Sequence, residues 1–155
     1  MSGRENHQLL VNGRIFTGDE IISNHEVLLA NGIIETVRKS SSPTDDLTVI
    51  DLQGGLLAPG FIDCQVNGGG GVMFNDQPTP DSIATIIEAH RTFGTTGLLP
   101  TLISDEWDVM QSAVEAVRST LKSGLPGLLG LHFEGPYLNL RNRGAHAKKI
   151  GRAHV

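Results

Sequence analysis

The chain has 155 residues, of which 39% are hydrophobic, and this is enough for one domain of ordinary size or for parts of two. Its 12 basic and 17 acidic residues leave a net charge of −5 without any run of Lys or Arg, so we expect no nucleic-acid partner. Residues 1–7 do not form a signal-peptide pattern and no apolar segment approaches about 20 residues, so we expect a cytoplasmic protein with no membrane partner.

Short apolar segments separated by turn residues predict β-strands from Leu9 to Ile50. Asn12-Gly13 and Asn31-Gly32 predict tight hairpin turns, because both residue types tolerate the positive φ that a type I′ turn needs. A polar loop at 40–46 precedes one more strand, from Thr48 to Asp51. Isolated hairpins are unstable, so residues 1–55 are expected to belong to a small β-domain with further strands.

After Gly54-Gly55, apolar strand-like segments alternate with segments of helical period, which predicts an α/β fold. The three strands are expected at 56–67, 97–103 and 127–133, the first buried on both faces at its start. Cys64 lies in that first strand and is expected to be a small buried side chain. A (β/α)₈ barrel needs about 250 residues, so residues 56–147 are expected to form an incomplete barrel of three strands and two helices.

The two helices are expected between these strands. The first should run from Pro80 to Phe93 with Thr79 as its N-cap, and the second from Asp105 to Lys122. Trp107 is expected to be a packing residue. The side chains expected on the core-facing stripes are Ile83, Ile86, Ile87 and His90 in the first helix, and Met110, Ala113, Val114, Val117 and Leu121 in the second.

Polar side chains lie where the first and third strands end. Asp63, Gln65 and Asn67 alternate onto one face, and the glycine run 68–71 follows them. Unpaired polar groups there would cost several kcal/mol, so they either cap a loop or contact a substrate or a metal-bound water. On the third strand, His132 and Glu134 share a face, and a carboxylate there could ligate a divalent cation or act as a base.

Four strings in this order resemble the N-acetylglucosamine-6-phosphate deacetylase family of the amidohydrolase superfamily. The most specific is His132 to Pro136 followed by Gly144 to His146. The other strings are Leu57-Ala58-Pro59-Gly60-Phe61-Ile62-Asp63, Gln65-Val66-Asn67-Gly68, and Gly94-Thr95-Thr96 with Leu99-Pro100-Thr101. The resemblance covers about residues 10–147 and implies that 1–55 is part of a small β-sandwich domain.

The resemblance also implies a site. Most amidohydrolases carry His-x-His where this chain has Gln65 and Asn67, and neutral amides bind a cation poorly. The family pattern implies one divalent metal ion per subunit, expected to be zinc, with Glu134 as a ligand. Gln65, Asn67 and His132 are expected to act on the metal indirectly. Ala145 and His146 match positions that contact the sugar substrate.

The resemblance implies hydrolysis of the acetamide of N-acetylglucosamine 6-phosphate, giving glucosamine 6-phosphate and acetate, by an enzyme expected to be a homo-oligomer. The catalytic aspartate and two further histidine ligands of the family lie on later strands, so we expect no catalytic residue within this chain and no activity from it alone. Two alternatives remain open. One is another metal-dependent amidohydrolase, of dihydroorotase-like or adenine-deaminase-like type, and the other is a non-catalytic module that binds a sugar phosphate.

The last residues depart from the family pattern. The codons ATC GGA AGA GCA CAC GTC would encode residues 150–155 and spell the end of a common sequencing adapter. We therefore expect residues 148–155 to be a non-native tail in which His154 has no biological role.

Overall fold

The computed structural model describes residues 7–41, 47–139, 141, 142, 144 and 146. The chain divides into two compact units, residues 1–59 and residues 60–155. The expected substrate contact at Ala145 and the expected tail at 148–155 lie outside the described residues.

The first unit is built on a mixed five-stranded sheet. Its strands are β1 (His7–Phe16), β2 (Ile21–Ala30), β3 (Ile33–Lys39), β4 (Thr48–Asp51) and β5 (Leu56–Leu57). The strand order is β3-β2-β1-β4, and β5 also pairs with β1. β2 is antiparallel to β1, whereas β4 and β5 run parallel to it. The described residues of this unit supply one sheet, not the two layers of a complete sandwich.

One of the two expected hairpin turns is wrong. Asn31-Gly32 does connect β2 to β3, with φ of 52° and 80°. Asn12-Gly13 instead lies inside β1 as a bulge, where the register with β2 shifts and Asn12 has a φ of 56°. Because β1 is paired along both edges, the chain cannot reverse there. The bulge is held by the Asn12 side chain, which donates to Asp51 Oδ1 at 2.8 Å.

A buried carboxylate fastens the end of β3 to β2. Glu26 is fully buried and accepts hydrogen bonds from Arg38 Nε at 2.7 Å, and from the backbone N–H and hydroxyl of Ser41, both at 3.2 Å. Burial by itself raises the pKa of Glu26, but the bonds from Arg38 and Ser41 outweigh it, so the pKa lies below the ordinary value of 4.5. The ionised form therefore stabilises the folded sheet.

We expect Glu26→Gln to lower the free energy of unfolding at pH 7 by about 2 kcal/mol, because charged hydrogen bonds are lost in a buried site. Since the folded-state pKa is depressed, the contribution of Glu26 is present above pH 4.5 and is lost as the pH falls below it. Urea unfolding at several pH values should show the two proteins converging in acid. Glu35→Gln, at an exposed position of β3, is the matched control and should change little.

The second unit has β/α order. Its elements are β6 (Phe61–Val66), β7 (Gly68–Gly69), β8 (Val72–Met73), α1 (Pro80–Arg91), β9 (Thr95–Ile103), α2 (Trp107–Ser123) and β10 (His132–Glu134). β6, β9 and β10 form a parallel sheet in the order β10-β9-β6, so β9 is central. An isolated parallel bridge between Leu98 and Leu128 joins β9 to the segment before β10. The glycine run at 68–71 forms β7 and the turn of the short antiparallel β7-β8 ribbon.

The start of the expected first strand is divided between the two units. Leu56–Leu57 pairs with β1, and the parallel strand begins only at Phe61. Phe61 and Ile62 are 68% and 66% exposed, and Cys64 is also exposed, so the expected burial of this strand is wrong. Among the described residues β6 is an edge strand with one neighbour, which leaves these side chains uncovered.

The core of the second unit lies between the sheet and the two helices. In α1 the cap is confirmed, since Thr79 Oγ1 accepts from Ser82 N at 3.2 Å, and the three isoleucines of the expected stripe are buried. In α2 the buried residues are Ala113, Ala116, Val117 and Thr120. Val114, Leu121 and Trp107 are exposed, contrary to expectation, because the stripe is wider than the surface that covers it. No helix in the described ranges is long and apolar enough to span a bilayer.

Candidate active site

The carboxyl ends of β6 and β10 bring three of the expected side chains together. Gln65 lies near the end of β6, Asn67 follows it, and Glu134 is the last residue of β10. In a strand, residues two apart share a face, and parallel strands end at the same edge of the sheet. Both amides consequently reach the carboxylate of Glu134 across β9, although they are separated from it by 69 and 67 positions in sequence.

Glu134 is oriented by neutral amide donors. Its Oε1 accepts from Gln65 Nε2 at 2.6 Å and from Asn67 Nδ2 at 3.1 Å, and its side chain is 22% exposed. The bond from Asn67 lowers the pKa of Glu134 most, burial opposes it, and Gln65, His146 and His132 lower it further. The net pKa lies below the ordinary 4.5, so the site holds a carboxylate anion at neutral pH.

His146 lies beside the other oxygen of the same carboxylate. Its Nε2 is 3.5 Å from Glu134 Oε2, and its side chain is 17% exposed. The sequence places His146 twelve residues beyond Glu134, so the chain returns to the end of β10 after leaving it at Gly135-Pro136. A group bound at Oε2 would therefore be close to His146 as well.

His132 and Asp63 contact residues that lie near Glu134 or bear its amide donors. The Nδ1 atom of His132 is 3.2 Å from the hydroxyl of Thr101 on β9. Asp63 Oδ1 accepts from the backbone N–H of Gln65 at 3.1 Å. His132 is thus tied to the central strand, and Asp63 supports the backbone that bears one of the two amides.

Two glycines next to the site are required by close contacts. A Cβ on Gly135, whose φ is 106°, would meet Ser104 Oγ, and that hydroxyl donates to the backbone carbonyl of Glu134 at 2.5 Å. A Cβ on Gly68 would meet the carbonyl oxygen of Val72. Both glycines let the backbone turn tightly where the strands end, so the glycine run is a defined ribbon and not only a flexible turn.

Sequence reasoning missed three polar residues that support the site. Thr101 and Ser104 contact His132 and the backbone of Glu134. Asn75 bonds both the N–H and the carbonyl of Ile103, at 2.9 and 3.0 Å, and also Asp105 Oδ2 at 2.8 Å. All three lie at or just beyond strand ends, which is the only signal that the sequence carries for them. His90, expected on the core-facing stripe of the first helix, is half-buried, and its Nε2 lies 3.0 Å from the Gly68 carbonyl oxygen.

The donor set fits a divalent cation in part. Among the described residues, no group of three His, Cys, Asp or Glu side chains is placed to hold a metal ion. Glu134 is anionic and presents Oε2 away from the two amides, which suits one carboxylate ligand. A catalytic zinc normally takes about three protein ligands, which is more than the described residues bring together at Glu134.

The fold and the site together define a β-sheet unit followed by a parallel β/α unit with an oriented carboxylate at its strand ends. Residues 9–57 match the family model described as the NagA composite domain. The chain is 40% identical over 149 residues to an N-acetylgalactosamine-6-phosphate deacetylase of Shewanella sp. (strain ANA-3), which covers 94% of this chain and 38% of that protein.

It is also 39% identical over 137 residues to an N-acetylglucosamine-6-phosphate deacetylase of Haemophilus influenzae, covering 88% of this chain and 36% of that protein. The crystal structure of N-acetylglucosamine-6-phosphate deacetylase from Pasteurella multocida matches with a TM-score of 0.91 and 35% identity, over 96% of this chain and 39% of that one. The chain is similar to these deacetylases along nearly its whole length, and it spans little more than a third of theirs.

We expect Asn67→Ala and Gln65→Ala each to raise the pKa of Glu134 towards its ordinary value, since each variant removes a donor to the ionised form. The double variant should raise it most. Carboxyl ¹³C NMR titration of chelator-treated protein measures the pKa directly. Gln111→Ala, at an exposed position on α2, is the amide control and should leave Glu134 unchanged. If neither site substitution changed the pKa of Glu134, the hydrogen bonds from Gln65 and Asn67 would be contradicted.

Proposed function

We propose that the protein to which this chain belongs is a metal-dependent deacetylase that hydrolyses the acetamide of N-acetylglucosamine 6-phosphate. The observation that carries the proposal is the Glu134 carboxylate, which two amides from another strand hold ionised at the carboxyl ends of a parallel sheet. Barrel enzymes keep their chemistry at this end. The rest of the (β/α)₈ barrel, zinc as the metal, the homo-oligomeric state and the cytoplasmic location remain predictions.

Glu134 is proposed to ligate the cation through Oε2. Its Oε1 is bonded by Gln65 and Asn67, whereas Oε2, which has His146 Nε2 at 3.5 Å, is the oxygen proposed for the cation. When bound, the divalent cation would supply Lewis-acid chemistry, lowering the pKa of water and polarising the amide carbonyl. The two amides are proposed to orient Glu134 and not to contact the cation, because their N–H groups already face the carboxylate.

His146 is proposed to contact the substrate. It lies 3.5 Å from Glu134 Oε2, so a substrate held next to the carboxylate would be within reach of its ring. A neutral imidazole can donate or accept one hydrogen bond to a sugar hydroxyl or an acetamide oxygen. Its loss should therefore change substrate binding or turnover while leaving Glu134 and its amide partners in place.

A second substrate deserves a direct comparison, since the relative from Shewanella is named for N-acetylgalactosamine 6-phosphate. The two sugars differ only in the configuration at one hydroxyl. Acetate release by the full-length protein should be measured with both compounds. A higher kcat/KM for N-acetylglucosamine 6-phosphate supports the proposal, a higher value for the galacto compound reassigns the substrate, and no acetate from either contradicts the function.

In the full-length protein we expect Glu134→Gln to lower kcat/KM by about 100-fold or more and to lose metal, because a formal charge on the cation is removed. Gln65→Ala and His132→Ala should cost about tenfold, since they act through Glu134 or its surroundings. His146→Ala should change KM or kcat with the metal retained. Elemental analysis beside steady-state kinetics measures both quantities.

The matched control for this series is Glu88→Gln, an exposed carboxylate on α1 whose loss should leave metal content and kinetics unchanged. If Glu134→Gln kept full metal and near-normal turnover, Glu134 would not be the ligand and the site assignment would be wrong.

A further inference from the structure

One buried hydroxyl joins all three strands of the parallel sheet. Thr101, on the central strand β9, is fully buried. Its Oγ1 accepts from the backbone N–H of Val66 on β6 at 2.9 Å, donates to the Leu99 carbonyl at 3.2 Å, and lies 3.2 Å from His132 Nδ1 on β10. Val66 stands between Gln65 and Asn67, and His132 stands two residues before Glu134, so each of these contacts adjoins the site.

The hydroxyl lies beside a bulge in the β6-β9 ladder. Proline in the middle of a sheet is found at bulges, and Pro100 pairs with Val66 at the end of this one. The register shifts at this point, since Asp63 pairs with Leu98 whereas Val66 pairs with Pro100, so β6 has one residue more than β9 in this interval. Bulges next to active sites redirect side chains. Here the side chain of Thr101 takes the Val66 N–H and so fixes the end of the bulged segment.

The hydrogen-bonding capacity of a hydroxyl decides the state of His132. A threonine hydroxyl has one proton to donate and two lone pairs to accept with. The Leu99 carbonyl can only accept, so the hydroxyl proton goes there, and the Val66 N–H occupies one lone pair. With the hydroxyl proton on the Leu99 carbonyl, the remaining lone pair is left for a donor, and a protonated His132 Nδ1, at 3.2 Å, fits that place.

We propose that Thr101 is a positioning residue of this site: its hydroxyl holds Val66 between the two orienting amides and keeps a proton on His132 Nδ1. In the neutral form of the ring, Nε2 then carries the lone pair and presents an acceptor on that side. Thr101 touches neither Glu134 nor a substrate and acts through its neighbours. The kinetic part of this inference rests on the proposed deacetylase function, whereas the state of the ring does not.

The test compares the full-length protein with its Thr101→Val and Thr101→Ser variants, labelled with ¹⁵N-histidine. Long-range ¹H–¹⁵N spectra identify the tautomer, because Nε2 couples strongly to both ring C–H protons and Nδ1 to one. His132→Asn assigns the signals. The wild type and Thr101→Ser should show a protonated Nδ1 and a slowly exchanging Val66 amide. Thr101→Val should shift the ring towards Nε2–H and speed exchange at Val66.

Kinetics separate positioning from bulk stability. Thr101→Val should lower kcat by about tenfold with KM changed less than about threefold, and Thr101→Ser should restore most of the activity. Thr120→Val is the matched control, because it removes another buried hydroxyl, on α2, whose 2.7 Å bond to the Ala116 carbonyl lies away from the site. That variant should leave the His132 signals and kcat unchanged.

Each result decides the inference. A wild-type His132 protonated on Nε2 overturns it, as does a Thr101→Val protein with unaltered ring signals and kcat. If Thr101→Val does not fold, the tautomer of the wild type and of Thr101→Ser decides by itself. If the wild-type protein releases no acetate but has the Nδ1–H ring, the deacetylase proposal fails while the role of Thr101 in holding His132 and Val66 is supported.

Discussion

The charge on Glu134 is the constraint on which the rest of the second unit depends. A carboxylate that is only 22% exposed needs hydrogen-bond donors, because an unpaired charge removed from water would neutralise itself or destabilise the fold. The donors come from β6, on the far side of the central strand. The site therefore exists only when three parallel strands are in register, and the backbone contacts that fix the register are part of the site.

Those contacts are alike in their chemistry, because short polar side chains bond backbone groups near the ends of the strands. Ser104 bonds the Glu134 carbonyl, Asn75 bonds both backbone groups of Ile103, and the Thr101 hydroxyl bonds the Val66 N–H at the end of the bulge. Buried backbone groups are almost always paired. Because these side chains are short and partly or fully buried, they hold the strand ends more rigidly than long flexible ones would.

The sequence predicts the features that follow from the local periodicity of its residues and from the order of its strands. Alternation placed Gln65 and Asn67 on one face, and parallel strand ends brought them to Glu134. It does not predict what depends on pairing across the sheet. Asn12-Gly13 has the same turn chemistry in a hairpin and in a bulge, and only the second paired edge of β1 decides. The exposure of Cys64 was mispredicted for a similar reason, because periodicity gives the direction of a side chain but not which part of the fold covers it. The role of Thr101 likewise depends on the register shift between β6 and β9, which the sequence does not predict.

The two amides also bear on how many cations the site holds. Histidines in these positions, as most amidohydrolases have, would offer ring lone pairs to a metal. Gln65 and Asn67 instead direct N–H groups at Glu134 Oε1, so the positive ends of two dipoles face that oxygen. Such donors repel a cation and attract an anion. If Glu134 ligates a cation as proposed, the contacts that keep it ionised would favour one metal ion on the Oε2 side over a pair.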